Sequence, residues 1–426
     1  MSDTKNDSAW EQLFEQHNII ENINKSGSFK ITAKDINKFR EARLMTKFDH
    51  KTNLPKIFLD NKLSILPITR GSYVISQFDV YKNFEEISNE IVRVPFPEHI
   101  VSIDYENITS EAMAINCAYV SGIIKDFVDD EELVPTVSGR MSSSSFSFNI
   151  NNKITNKDMP IEVVNSQIEI DGGYEGIQSL TLIEAKNSIS KDFLVRQLYY
   201  PYRLWSKNIH KKVKPVFMVY SNGIYNLYEY QFERDDNYNS LYLVKQKNYI
   251  IEAVDISLDD IINIYKNIEI IPEPDIPFPQ ANSFKRIINL CEVLYENNMT
   301  KDDITMNYDF DPRQTNYYTD AARYLGLVEK KRHAGSIEFY LTVEGQALFK
   351  LRYKAKQLKF AELILRHKPF YDVFKNCLNS GQVPTKNEIV TIMESSSIYG
   401  ISSENTYGRR ASTITGWLNW ILDLNR

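Results

Sequence analysis

Residues 168–186, IEIDGGYEGIQSLTLIEAK, constrain the fold more than any other stretch of the chain. Two β-prone runs, Gln167–Asp171 and Leu180–Lys186, flank a glycine-containing connection, so they pair as an antiparallel hairpin. Gly172 and Gly173 are predicted to open its turn. Strand side chains alternate faces, so Glu184 and Lys186 share one face and Ala185 points to the other. Antiparallel pairing brings Asp171 to the same end of the hairpin. Two carboxylates and a lysine then converge at one strand edge. Hard oxygen ligands of this kind suit Mg²⁺, which takes one or two carboxylates and keeps several waters. A metal held there activates water and stabilises a phosphodiester transition state. Lys186 is placed to orient the attacking water and to add positive charge where charge develops.

An acid, a spacer and then acid-X-Lys resembles the PD-(D/E)XK nuclease superfamily. Here the pattern is Asp171, then Glu184-Ala185-Lys186, with Ile170 in place of the proline that gives the motif its first letter. The resemblance implies metal ligation by Asp171, Glu184 and the Ala185 carbonyl, and water positioning by Lys186. It also implies a core of helix, β-meander, helix and further strand, and the sequence offers each in order. Ser110–Phe127 has helical apolar periodicity, with Ser110 as N-cap and Glu111 in the first turn. Thr136–Ile150 reads as a strand. Asp192–Asn208 reads as a helix with a kink at Pro201. Val213–Tyr220 is an apolar run suited to a buried strand. Asn222-Gly223 is a turn signal, and Ile224–Gln231 alternates as the next strand. Gln197, one helix past the motif, occupies a place where such folds often carry a polar active-site residue. Glu111 is a candidate extra acid, although a first-turn helix charge explains it as well. Glu169 shares a strand face with Asp171. Arg140 and Ser142–Ser145 are candidates to meet DNA phosphate, or an exposed edge strand.

The 426 residues suffice for two to four domains. Apolar content of 42% and charged content of 25% are ordinary for a globular protein. No apolar run reaches the roughly 18 residues of a membrane span, and the polar start is not a signal peptide. Cys117, Cys291 and Cys377 lie far apart, which argues against zinc or a disulfide framework and for a reducing cytoplasm. No glycine-rich phosphate loop appears, so ATP is not expected. The net charge is −6, yet residues 281–426 carry 20 Lys and Arg against 16 Asp and Glu. Lys350–Lys368 is the most basic run. A local basic stripe matters more to DNA affinity than the total charge.

Four prolines in Ile271–Gln280 suggest a linker at 272–282. It separates a core at 101–271 from a C-terminal half, and residues 1–100 form an α+β region ahead of the core. Beyond the linker, YLGLVEKKR followed by IEFYLTVEGQALF resembles the wing of many winged-helix domains, here over 283–352. Thr300 with Asp303 caps a second helix. Pro312–Leu325 would be the recognition helix, with Arg313, Gln314, Asn316 and Tyr317 where base contacts fall. Use of that module for packing or dimerisation is the alternative. Residues 353–426 are expected to form a second helical, helix-turn-helix-like unit. There Arg409, Arg410, Ser412 and Thr413 would meet phosphate, while Trp417, Trp420 and Ile421 anchor the core. Lys34–Phe48 reads as a helix, and Ile57–Tyr73 as strands around a proline turn. FREARLMTKFDH and LSILPITRGSY resemble the N-terminal region of some type II restriction endonucleases, which makes Arg43, Lys47 and Arg70 candidate DNA contacts.

The fold expected is therefore α/β with a restriction-endonuclease-like core, an α+β N-terminal region and C-terminal winged-helix and helical domains. The resemblance implies a Mg²⁺-dependent, sequence-specific double-strand DNA endonuclease of type II restriction class, leaving 5′-phosphate and 3′-hydroxyl ends. It further implies a homodimer on symmetric DNA, a cognate DNA methyltransferase as genetic partner, no membrane and a cytoplasmic location. The alternatives are a modification-dependent, defence or repair nuclease of the same superfamily, and a DNA-binding regulator with a degenerate core.

Overall fold

The computed structural model describes residues 4–251, 254–333, 335–396, 398–399 and 404–425. It is a mixed α/β structure built around one seven-stranded sheet. We label the strands of that sheet β1 (Ile91–Val94), β2 (Val134–Ser142), β3 (Gln167–Glu175), β4 (Ser179–Lys186), β5 (Lys212–Ser221), β6 (Ile224–Phe232) and β7 (Leu241–Ile251). Their order is β1-β7-β6-β5-β4-β3-β2. The β4–β5 and β7–β1 pairs are parallel and the rest antiparallel.

Both faces of the sheet are covered, which is why β4 and β5 are almost continuously apolar. On one face, Ile183, Ala185, Val216 and Met218 pack against the Glu111–Val120 and Ile123–Val128 helices. On the other, Leu180, Leu182, Phe217 and Val219 meet the Arg196–Asn208 helix and a two-stranded ribbon, Ser145–Asn151 with Asp158–Val164. This alternation fixes which face Glu184 and Lys186 occupy.

Several local expectations are corrected. Gly172 and Gly173 do not turn the chain; they lie inside β3, opposite Ile183 and Leu182. A Cβ on Gly173 would sit 2.7 Å from Val137 Cβ, so glycine there lets β2 approach. The turn falls at 176–178, where the Asp130 carboxylate accepts from the Gln178 and Ser179 backbone N–H groups. Ser110–Phe127 is two helices, divided at Gly122 with φ +80°. The Ser110 hydroxyl does cap the first, accepting from Met113 N. Thr136–Ile150 divides between β2 and the ribbon. Asp192–Leu194 is a short strand paired with Tyr81–Asn83, so the following helix begins only at Arg196 and continues through Pro201. Lys34–Phe48 contains two short helices, Ala33–Ile36 and Ala42–Thr46, with the Asn37 side chain accepting from Ala42 N between them. Pro67 lies within the Ser64–Thr69 strand beside an irregularity, not in a turn.

The N-terminal unit packs the helices Lys5–Gln16 and Ile19–Ser26 on a three-stranded sheet around Trp10, Phe14 and Phe58. It ends earlier than residue 100, because Tyr81–Asn83 and β1 pair with core strands. The C-terminal half holds one apolar core running from Ile256 to Ile421. Residues 283–352 and 353–426 therefore share a core. Phe284 packs against Trp417 and Trp420, and Trp417 stacks on Phe370 at 5.0 Å. The proline-rich segment belongs to this unit as well. Phe278 is buried against Tyr324 and Phe370, and the Ala281 carbonyl accepts the Trp417 indole N–H at 2.7 Å. Its prolines keep the chain extended along that core. Within the unit the order is Phe284–Glu296, Lys301–Asn307 and Pro312–Tyr324 helices, then a Val328–His333 and Ser336–Leu341 hairpin. Among the described residues no helix is long and apolar enough to cross a membrane.

Candidate active site

The ladder between β3 and β4 runs from Glu175–Leu180 to Gly172–Ile183 and stops. At the next position the Asp171 carboxylate takes over, its Oδ2 accepting the Ala185 N–H at 2.8 Å. β4 keeps its parallel pairing with β5 through Lys186, so the acid-bearing end is rigid on one side and open on the other. Glu184 and Lys186 face that opening. Glu184 Oε1 accepts from Lys186 Nζ at 2.5 Å and from Gln197 Nε2 at 2.6 Å. Lys186 Nζ also donates to the Ala185 carbonyl at 3.1 Å. Asp171, Glu184, Lys186, Gln197 and Glu111 all line one cleft of about 530 Å³.

Around Lys186, several carboxylates share one ammonium. Burial pushes Glu184 up to about 7, against the pull of Lys186. Burial also works against the charge on Lys186, but Glu184, Glu111, Asp49 and Asp171 outweigh it and hold the lysine above its ordinary range. Glu111 is raised by burial, with Lys186 opposing and Asp171 adding. The pair therefore presents a charged lysine facing more carboxylate than it neutralises. Among the described residues no three His, Cys, Asp or Glu side chains form a metal cage. The donor set fits a hard cation that takes two carboxylates, the Ala185 carbonyl and water. Lys186 Nζ touches two of those oxygens, Glu184 Oε1 and the Ala185 carbonyl.

The opposite wall comes from the N-terminal unit. Arg43, Lys47, Asp49 and Arg70 line the cleft, with Arg140 and Arg196 from the core. The 47–53 segment is fixed from several sides. Tyr81 donates its hydroxyl to Phe48 O at 2.9 Å. His50 Nδ1 lies 2.7 Å from Asp192 O, and the Asp192 carboxylate accepts from Lys51 N. Arg43, Lys47, Arg70 and Arg140, the candidate DNA contacts of the N-terminal region and the core, all reach this cleft. Arg140 pairs with Glu169, 3.2 Å away, and both line the cleft. Asp49 and Arg196 were missed. Asp49 lies outside the sheet and beyond any strand pattern, and only its nearness to Lys47 could have flagged it.

The C-terminal candidates do not line the cleft. Arg313 and Asn316 are exposed at the start of Pro312–Tyr324. Gln314 is committed elsewhere, its side chain accepting Asp311 N as the second half of a capping box. Tyr317 is half-buried, and its neighbour across the interface is Arg410. Arg409 is exposed, but Arg410 is half-buried and its Nε has no hydrogen-bond partner. Burial lowers the Arg410 pKa, so Arg410 reads as part of the packing and not as a free phosphate contact. Ser412 is half-buried and Thr413 is buried, its hydroxyl donating to Asn282 Oδ1 at 2.9 Å.

Residues 7–75, 76–250 and 286–426 are similar to three separate domain families of unknown function, DUF6996, DUF6997 and DUF7226 respectively. The first boundary falls near 76, where the N-terminal unit meets the core, while the third match begins inside the C-terminal unit, which starts near Ile256. No curated protein and no solved structure matches the chain.

Proposed function

We propose that the chain is a Mg²⁺-dependent DNA endonuclease of the PD-(D/E)XK superfamily, of type II restriction class. One observation carries the reading: Asp171, Glu184, Lys186 and Gln197 meet at the open end of β3 and β4, joined by hydrogen bonds of 2.5–2.8 Å. Asp171, Glu184 and the Ala185 carbonyl would hold the metal, which when bound supplies Lewis-acid stabilisation and a more acidic water. The protein's own contribution is positional. Gln197 keeps the Glu184 carboxylate turned into the cleft. Lys186, released from Glu184, would hold the attacking water in line with the phosphorus and add positive charge beside it. Arg43, Lys47, Arg70 and Arg196 would seat the phosphates on either side of the scissile bond.

The sheet with its flanking helices supports a restriction-endonuclease-like core. The helix, helix, helix and hairpin order of 284–341, with the short Met299–Thr300 strand against the hairpin, supports a winged helix extended by five more helices. In that reading Arg313, Asn316 and Arg409 meet DNA, and two copies act on a symmetric site.

The test is incubation of the purified chain with Mg²⁺ and mixed plasmid DNA, methylated and unmethylated. Discrete bands support a sequence-specific endonuclease, and bands from methylated plasmid alone support a modification-dependent one. A smear replaces both with a nonspecific nuclease. No cutting with Mg²⁺ or Mn²⁺ overturns the reading.

A further inference from the structure

The seam between the three units closes on one carboxylate. Asp309 lies between the Lys301–Asn307 and Pro312–Tyr324 helices and is 3% exposed. Its Oδ1 accepts the Thr52 hydroxyl at 2.5 Å, and its Oδ2 accepts the Lys191 backbone N–H at 2.8 Å. Thr52 belongs to the segment that carries Lys47 and Asp49 into the cleft. Lys191 belongs to the loop that leaves β4 immediately after Lys186. Asp309 thus ties both walls of the cleft to the C-terminal unit without lining the cleft itself.

The surrounding contacts serve the same two segments. Asn53 Nδ2 donates to the Thr305 and Tyr308 carbonyls at 3.0 and 2.9 Å. Asn289 donates to Asn187 O at 2.6 Å and accepts from Ile189 N at 3.0 Å. Arg286 donates to the Asp309 carbonyl and stacks over Phe310, 4.2 Å from the ring centroid. A carboxylate suits the position because both oxygens accept and neither donates, and charge-assisted bonds of this kind are short and directional. Asp309 also directly precedes the segment that starts the Pro312–Tyr324 helix, whose exposed side chains are assigned to DNA above.

We propose that Asp309 is a positioning residue: it locks the Lys47–Asp49 wall and the Asn187–Lys191 exit of β4 to each other, so that the C-terminal unit governs turnover at a site it does not line. The activity readout of this proposal rests on the nuclease reading; a second readout does not.

The full-length parent is compared with Asp309→Ala, Asp309→Asn and Thr52→Val. Misplacing reacting groups by about 1 Å costs up to roughly a hundredfold in rate. Asp309→Ala should therefore lower kcat for plasmid cleavage about tenfold or more while KM stays within about twofold. Asp309→Asn should recover most of the loss, because its amide oxygen can accept Lys191 N–H while its Nδ2 donates to the Thr52 hydroxyl. Thr52→Val should fall between the two. Backbone hydrogen exchange is measured on the same proteins. Asp309→Ala should speed exchange at 50–53 and 187–194 and leave 212–232 as in the parent; Thr52→Val should affect 50–53 alone. Parental kcat with parental exchange in Asp309→Ala overturns the proposal. So does protection lost evenly across 212–232, which makes Asp309 a folding residue only. If the parent cuts no DNA, the nuclease reading falls and exchange alone decides: local loss supports the lock, and unchanged or uniform exchange overturns it.

Discussion

Asp171 Oδ2 accepts the Ala185 N–H at 2.8 Å, so an acidic side chain replaces the next rung of the β3–β4 ladder. The same carboxylate that would bind metal also fastens the strand carrying Glu184 and Lys186. This dual use separates two substitutions that look alike. Asp171→Asn keeps an acceptor for Ala185 N–H and loses the charge. It should melt near the parent, bind duplex DNA as the parent does, and lose metal-dependent cleavage. Asp171→Ala loses cleavage too, and leaves the N–H of buried Ala185 unsatisfied at a cost of about 1–3 kcal/mol. Cleavage assays with thermal melts on both variants check this; full activity in Asp171→Asn removes Asp171 from the site.

Glu184 gives a pH prediction with a definite sign. Its folded-state pKa, raised by burial from 4.5 to about 7, lies above the unfolded value. The metal-free folded state therefore holds this proton more tightly than the unfolded state. The resulting stability is fully present below the unfolded pKa and is lost as pH rises through the folded one. A metal held by Glu184 would reverse the demand, because proton and cation would compete for the same carboxylate. Cleavage at limiting Mg²⁺ should fall about tenfold per pH unit below that value and level off above it. Melting of the metal-free protein across the same range should flatten in Glu184→Gln. An unchanged melting profile in that variant would show that Glu184 does not carry the titration.

How much of this could be read from the sequence depends on how local the determinants are. Glu184 and Lys186 are legible because strand alternation alone puts them on one face; Asp171 is legible only as the acid at the facing end of the hairpin, because the register of its strand shifts between Ile170 and Gly173. Gln197 and Glu111 are legible because each stands at a helix start in a fold whose order of elements was already set. Asp49 is not, because its position depends on clamps by Tyr81, Asp192 and Asp309. Gly172 and Gly173 mislead for a physical reason: a glycine pair serves a turn and a close strand approach equally well, and Val137 decides between them. The prolines of Ile271–Gln280 mislead similarly, since extended backbone suits both a free tether and a strap over a core. The apolar roles of Trp417 and Trp420 follow from helical spacing and are found as expected.

That strap moves the domain boundary. Helix Leu258–Asn267 buries Ile261 in the C-terminal core and packs on Tyr353–Leu365, so the autonomous unit starts before it and not after residue 271. A fragment of residues 254–426 should melt cooperatively by circular dichroism. Residues 283–352 alone should not, because they lose Phe278, Phe360, Phe370 and Trp417 from one shared core. A cooperative melt for 283–352 would restore two independent modules. Residues 1–271 should bind a hydrophobic dye more strongly than 1–251, since only the longer piece exposes the apolar face of that helix.

At the start of the Pro312–Tyr324 helix, a capping side chain adjoins an exposed one. Gln314 accepts Asp311 N at 3.1 Å, and Asp311 accepts Arg313 N and Gln314 N at 2.7 and 2.9 Å. Gln314→Ala should therefore cost about 0.5–1 kcal/mol of stability and leave DNA discrimination unchanged. Arg313 enters that cap only through its backbone N–H, and the residue is exposed. If it reads a base, Arg313→Ala should cost roughly 1–3 kcal/mol on a cleaved duplex and little on a scrambled one. Arg409→Ala should weaken both duplexes alike and shallow the salt dependence, as loss of a phosphate contact does. Affinities for both duplexes across a salt series, with melts of each variant, separate the three outcomes. Parental binding by Arg313→Ala on every duplex would transfer recognition to Arg43 and Lys47, which already face the cleft where the scissile phosphate would lie.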